Sequence, residues 1–204
     1  KNKGIENFAG QTQDLIGLGA DLAAQFGGST SDAVSAISAI LKVTKMESVS
    51  LQLQKQTLDM NRTVESAVES LRFLADEKQI RFVLDLEPLF PIEGDTMLIR
   101  EVVTNLIENA VKYGNVDSKV TIRTLEERGG VKVCVLDEGE GILPDEIPRV
   151  TGKFYRGTQT GQASSGSGLG LYLAKYFVEL HGGELEIRSE LKHGTEVSFW
   201  LPSS

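Results

Sequence analysis

The hydrophobic period of this chain changes once, near Ser50, and that change limits what it can fold into. Upstream, Ile5, Phe8, Thr12, Leu15, Gly19, Leu22 and Phe26 follow alternating steps of three and four, the seam of a helical bundle or coiled coil. Gly27-Gly28-Ser29-Thr30-Ser31 interrupts the seam, with Thr30 or Ser31 available as an N-cap. A second stripe runs through Val34, Ile37, Leu41 and Thr44. Two short helices do not bury such a seam by themselves. The expectation for 1–50 is therefore a helical hairpin that pairs with a second copy as a dimeric four-helix bundle.

Beyond Ser50 helices and strands interleave, and 51–204 reads as a second domain. Ser50–Leu58 alternates like a strand, and Asn61–Lys78 is helical with Val64, Ala67, Val68, Leu71 and Leu74 on one face. A strand follows at Ile80–Glu87. Asp95–Gly114 is a long helix that turns Leu98, Val102, Leu106, Ile107 and Ala110 inward. Lys119–Glu127 and Gly129–Gly139 form a hairpin with its turn at Arg128-Gly129-Gly130. After a polar, glycine-rich loop come a helix over Leu169–Leu180 and two closing strands, Gly183–Glu190 and Thr195–Pro202. The late hairpins argue against a purely parallel sheet, so the fold class is α+β.

Composition narrows the function classes. The 204 residues, 40% of them hydrophobic, suffice for one full domain and a smaller appendage. A net charge of −8 without a Lys/Arg stripe argues against nucleic acid as a partner. Cys134, the single cysteine, lies in the apolar run VKVCVL and reads as a reduced core residue of a cytoplasmic protein. One cysteine and two histidines at this spacing make no metal cluster. The longest apolar run, AVSAISAIL, falls short of the roughly 20 residues of a membrane span, so no membrane contact is expected of this fragment. Because the chain opens on Lys1, it reads as a piece of a longer protein. The absence of a targeting or membrane segment then describes the piece alone, and the parent chain is free to be membrane-anchored.

Four stretches carry chemistry. Asn105 and Asn109 leave one helix face, with Lys112 and Tyr113 opening the next turn. Amide oxygens are hard, neutral ligands suited to Mg²⁺ beside phosphate oxygens, and the lysine supplies countercharge. The same four residues would also make an inert polar face. Asp137-Glu138-Gly139-Glu140-Gly141 leaves an apolar strand, placing Asp137 at its end, with glycines that let backbone approach a ligand. A carboxylate there accepts a hydrogen bond from an exocyclic amine; the bland alternative is an acidic turn. In Gly152-Lys153-Phe154-Tyr155-Arg156-Gly157, two aromatics and two cations suit stacking and phosphate contact, or a surface patch. Gly166-Ser167-Gly168-Leu169-Gly170-Leu171 feeds a helix N-terminus, where free N–H groups favour anions. No strand immediately precedes it, which excludes a dinucleotide-binding unit, and no P-loop is present.

In this order and spacing the four stretches resemble the asparagine box, first glycine box, phenylalanine box and second glycine box of the sensor histidine kinase ATP-binding domain. Gyrase, heat-shock chaperones and mismatch-repair ATPases share that superfamily. The likeness covers about Leu51 to Pro202, and VELHGG and GTEVSFWLP are similar to the closing segments of the family. It implies an α/β sandwich of the histidine kinase ATPase type that takes ATP or ADP with Mg²⁺. Asn109 would ligate the metal, while Asn105, Lys112 and Tyr113 would line the phosphate side. Asp137 would receive the adenine amine, helped by Gly139, Gly141 and Thr195. Lys153, Tyr155 and Arg156 would join the nucleotide site. Gly166, Gly168 and Gly170, with Leu169 and Leu171, would anchor a lid over the triphosphate. In ATP-hydrolysing relatives a glutamate that activates water stands where Asn105 stands here, so phosphate transfer fits better than hydrolysis. Glu138 and Glu140 replace a more usual Asn and Pro, adding negative charge that would weaken affinity for a triphosphate.

The N-terminal hairpin resembles the dimerisation and phosphotransfer domain of the same family, with one departure. Both histidines, His181 and His193, lie inside the nucleotide-binding domain, and His181 reads as a turn or capping residue. Counting from Phe8 places the phosphoacceptor position at Asp14. Reading Asp14-Leu15 as the acid-Leu pair of the family places it at Gln13, the preferred frame because Leu15 then stays on the seam. Neither side chain performs the family's chemistry, since a glutamine amide is not a nucleophile at neutral pH. Three alternatives follow: a kinase core that lost its histidine naturally, one whose acceptor was replaced by design, or an ATP-binding interaction module akin to anti-sigma serine kinases. The first two make a response-regulator receiver domain the expected partner.

Overall fold

In the computed structural model the chain divides into two compact units, Lys1–Leu51 with Arg156–Leu169, and Gln52–Tyr155 with Gly170–Ser204. The structure describes residues 52–153, 155 and 168–203. The hairpin expected over 1–50 lies outside the described residues, as do Gln13, Asp14, Arg156 and Gly166.

The second unit is a mixed α/β fold. In chain order it contains β1 (Gln56–Leu58), α1 (Met60–Glu77), β2 (Arg81–Leu86), β3 (Ile92–Gly94), α2 (Thr96–Tyr113), β4 (Lys119–Glu127) and β5 (Gly130–Asp137). A 3₁₀ turn (Ile147–Arg149) follows, then α3 (Gly170–Leu180), β6 (Glu184–Glu190) and β7 (Gly194–Pro202). Five strands form one sheet in the order β2-β4-β5-β7-β6. The β2–β4 pair is parallel, which requires the long crossover through α2, and the other pairs are antiparallel.

Alternation along the strands sorts the two faces. Val120, Ile122, Val131, Val133, Val135, Phe199 and Leu201 are buried, and they meet the apolar stripes of the helices. Helix α1 contributes Val64, Ala67, Val68 and Leu71; α2 contributes Val102, Val103, Leu106, Ile107 and Ala110; α3 contributes Leu173, Ala174, Phe177 and Val178. On the opposite face Arg123 pairs with Asp85, Lys132 with Glu127, and Arg188 with Glu186. Cys134 shares that face between Arg123 and Ser198 in the ladder, a buried free thiol whose burial raises its pKa.

Several expected boundaries shift for local reasons. Of the strand expected over Ser50–Leu58, the described residues 52–58 are a strand only at Gln56–Leu58, because the partner β3 offers three residues. Asp59 then caps α1, its side chain accepting from the Arg62 N–H. Leu74 is exposed, and Ala75 takes the inward place because the 3.6-residue period carries the stripe on from Leu71. Leu98 is likewise only half-buried, with Ile99 in the core instead. At the β4–β5 hairpin Gly130 already pairs with Glu127, leaving a two-residue loop. Arg128 and Gly129 both have positive φ, 51° and 69°, the twist a tight hairpin requires.

Candidate functional site

The central strand β5 ends on Asp137, which faces Thr195 of β7 in the ladder. Asp137 Oδ1 accepts two backbone hydrogen bonds, from the Gly139 N–H at 2.8 Å and the Thr195 N–H at 3.2 Å. Only 6% of the residue is exposed. Burial pushes its carboxyl above the usual carboxylate range, and the two N–H donors pull the other way. Among the described residues both contacts fall on Oδ1, leaving Oδ2 as the acceptor for a ligand.

Close backbone approach builds the walls around this carboxylate. A Cβ at Gly139 would collide with the Tyr113 carbonyl oxygen at the end of α2. One at Gly141, which has φ of 74°, would collide with the Glu190 carbonyl, and one at Gly194 with that of Asp137. The acidic loop is thereby locked between α2 and the β6–β7 turn. Glu138 does not aim its charge at this corner. Its carboxylate meets the Lys119 N–H at 3.2 Å and the Lys119 ammonium at 3.4 Å, while its carbonyl accepts from Asn115 Nδ2. The backbone N–H of Lys192 donates to the Glu140 carbonyl.

Helix α2 carries Asn105, Asn109, Lys112 and Tyr113 along one side of the same region. Its N-cap is Asp95, whose carboxylate accepts from the N–H groups of Met97 and Leu98. Asn105 Nδ2 is buried with no hydrogen-bond partner among the described residues, and a Cβ on Gly170 would lie 3.3 Å from Asn105 Oδ1. Asn109 is half-buried, and the Lys112 ammonium sits 4.9 Å from the Tyr113 ring centroid. A buried amide nitrogen without an acceptor carries a desolvation cost that a phosphate oxygen or water would relieve.

The remaining predicted residues are spread more widely. Lys153 lies over the Tyr172 ring at 5.2 Å and the Arg149 guanidinium over the Tyr155 ring at the same distance. Burial and the Glu146 carboxylate raise the Tyr155 phenol. Gly168 has φ of 67°, Leu169 is buried, and Leu171 is half-buried in the first turn of α3.

Three participants escaped the sequence reading. Lys78 donates from its ammonium to the carbonyls of Val111, Lys112 and Gly114, satisfying the C-terminal turn of α2 from behind. Burial and the nearby Lys112 cation lower its pKa. Ser189 accepts from the Ile142 N–H and touches Gly194 and Thr195. A polar residue in the inward register of Leu185 and Ile187 was the available signal for it. His181 is more than a turn residue: Nδ1 meets the Phe177 carbonyl at 2.7 Å and Nε2 accepts from the Asp95 N–H at 2.9 Å. Buried between the end of α3 and the start of α2, it ties the two helices together.

A five-stranded mixed sheet, helices on one face and a buried aspartate ending its central strand, defines the class as an ATPase-type sandwich. The family model described as "Histidine kinase-, DNA gyrase B-, and HSP90-like ATPase" matches residues 94–204, more than half of the chain, and the chain belongs to that family. Within it, the chain is similar to several proteins named as histidine kinases, and this domain is of the sensor histidine kinase type. Histidine protein kinase DivJ of Caulobacter vibrioides is 33% identical over 81% of this chain and 28% of its own length. The Non-motile and phage-resistance protein of the same organism is 30% identical over 98% of this chain. The chain spans about a quarter of the length of these two relatives, 28% and 23%. Full-length ShkA, solved in complex with AMPPNP, has a TM-score of 0.75 at 25% identity, covering 84% of this chain and 36% of that one.

Proposed function

We propose that this chain is the ATP-binding catalytic core of a two-component sensor histidine kinase, with 51–204 as the catalytic domain and 1–50 as a dimerising, phosphotransfer-like hairpin. The observation that carries the reading is the pairing of a buried, backbone-anchored Asp137 with the orphaned amide of Asn105 on the facing helix. One end of the site accepts from an exocyclic amine and the other donates to anionic oxygen, the polarity of adenine and phosphates. The AMPPNP complex of ShkA supports the same ligand class.

Asp137 Oδ2 binds the adenine amine, with Gly139, Gly141 and Thr195 shaping its surroundings. Asn105, Lys112 and Tyr113 face the phosphates, joined by Lys153, Tyr155 and Arg156. Gly166, Gly168, Leu169, Gly170 and Leu171 would anchor a lid over the triphosphate. Among the described residues no group of three or more His, Cys, Asp or Glu side chains stands ready for a metal. A neutral amide fits Mg²⁺ that is otherwise held by phosphate oxygens, so Asn109 is its protein ligand. The ion supplies charge neutralisation to the triphosphate. No residue at position 105 abstracts a proton from water, which favours transfer over hydrolysis. The ion pair of Glu138 with Lys119 offsets part of the charge that Glu138 adds near the triphosphate.

The catalytic domain acts in the cytoplasm, and the parent chain dimerises through the hairpin with a response-regulator receiver domain as its partner; because Gln13 or Asp14 stands at the phosphoacceptor position, this hairpin does not phosphorylate itself on histidine. A second reading, a pseudokinase or anti-sigma-like module that docks on a partner according to bound nucleotide, is favoured by the two histidines. His181 is buried as a helix tie, and His193 sits in the turn between β6 and β7. Incubation with γ-labelled ATP and a histidine-bearing hairpin of the family supplied in trans, with and without a receiver domain, separates the two. An active kinase core labels the supplied histidine and, through it, the receiver; the docking module labels neither, and label on His181 would defeat the assignment of that residue as a structural tie.

A further inference from the structure

Asp137, Thr195 and Ser189 form one cross-strand row on the helix-facing side of the sheet, Asp137 paired with Thr195 and Thr195 with Ser189. The Ser189 hydroxyl meets three groups at once. The Ile142 N–H donates to it at 2.8 Å, the Gly194 carbonyl lies at 2.9 Å, and Thr195 Oγ1 at 2.9 Å. A serine hydroxyl owns one proton and two lone pairs. The Gly194 carbonyl takes only a proton and the Ile142 N–H takes only a lone pair. All three contacts are therefore satisfied in one arrangement: Ser189 donates to Gly194, and Thr195 donates to Ser189.

We infer that Ser189 is a positioning residue that sets the base preference of the nucleotide site by consuming the Thr195 proton. Thr195 Oγ1 then presents lone pairs alone, and with Asp137 Oδ2 it offers a ligand two acceptors and no donor. Set against the two N–H bonds of the exocyclic amine of adenine, both acceptors are matched, whereas the carbonyl that replaces that amine in hypoxanthine would meet only lone pairs. A site built around a specific buried hydrogen-bond pattern discriminates strongly against ligands that reverse it. Without Ser189, the Thr195 hydroxyl is free to rotate and donate, and a carbonyl base becomes acceptable.

This inference rests on the proposed adenine-binding role of the site. The test is calorimetric titration of the whole chain with AMPPNP and with the corresponding inosine nucleotide, reading the ratio of the two dissociation constants. Ser189→Ala is expected to lower that ratio by roughly tenfold, the size of one hydrogen-bond preference. A general loosening of the fold would weaken both ligands and leave the ratio in place. Thr195→Val is expected to lower it by a similar factor, and the double variant no further, because the serine acts through the threonine. Should Ser189→Ala not fold, Ser189→Cys, whose thiol accepts weakly, is expected to show the same fall. A folded Ser189 variant with an unchanged ratio, or additive effects in the double variant, overturns the inference while leaving ATP binding intact. A wild-type chain that binds neither nucleotide overturns both.

Discussion

The two ends of the candidate site are finished to different degrees. At the Asp137 end, polar groups are satisfied inside the protein: two backbone N–H groups reach Oδ1, and Ser189 bridges Ile142, Gly194 and Thr195. At the α2 end, Asn105 Nδ2 is buried with nothing to donate to among the described residues, and Tyr113 is 44% exposed. The first end is a rigid strand terminus whose geometry exists before any ligand arrives. The second is a helix face whose C-terminal turn is held from behind by Lys78. In the proposed nucleotide complex, the first end would recognise the base with little rearrangement and the amide of Asn105 would meet the anionic tail.

The sharpest way to break that comparison is at Asp137. Asp137→Asn is expected to weaken AMPPNP binding by about 100-fold, because a charged acceptor is exchanged for a neutral amide. Undiminished affinity by calorimetry would remove the base-recognition role. Next in size, Gly194→Ala places a Cβ against the Asp137 carbonyl at φ of 94°. A loss of about 2–3 kcal/mol in urea unfolding is expected, and wild-type stability would mean that the corner is less rigid than described.

Asn105→Ala tests the open end. It is expected to cost roughly tenfold in nucleotide affinity while leaving the unfolding midpoint unchanged or higher, since it removes an unsatisfied buried donor. A fall in stability with no change in binding would assign Asn105 to the fold instead. Lys78→Met should lower stability by about 1 kcal/mol through the freed carbonyls at the end of α2. A smaller, signed effect comes from pH. Because burial raises the Asp137 carboxyl in the folded chain, its stabilising contribution is present in acid and is lost as pH rises through the folded pKa. Asp137→Asn should flatten that slope. Nucleotide binding, which favours the carboxylate, should release protons in the same window, read from calorimetry in buffers of different ionisation enthalpy.

Much of the fold was legible because long periodic elements declare themselves. Lys119–Glu127 appears as read, and the three helices of the second unit lie within a residue or so of their expected spans. Short elements did not declare themselves. β3, with three residues, carries too little pattern, and it alone decides how much of Ser50–Leu58 pairs. Leu74 was placed inward by spacing, but the stripe turned past it.

The chemical types and their local frame follow from the order of residues alone. An aspartate ends an apolar strand, asparagines stand one helical turn apart, and glycines stand where backbone must come close. These follow from periodicity and residue chemistry, which are local. Which oxygen of Asp137 is left without a backbone donor, that Glu138 turns to Lys119, that His181 joins α3 to α2, and that Ser189 meets Ile142, Gly194 and Thr195 at once come only from the tertiary structure. Each depends on groups from different strands or helices meeting in one place. A hydrogen bond between residues 47 or 58 positions apart leaves no periodic trace in either segment.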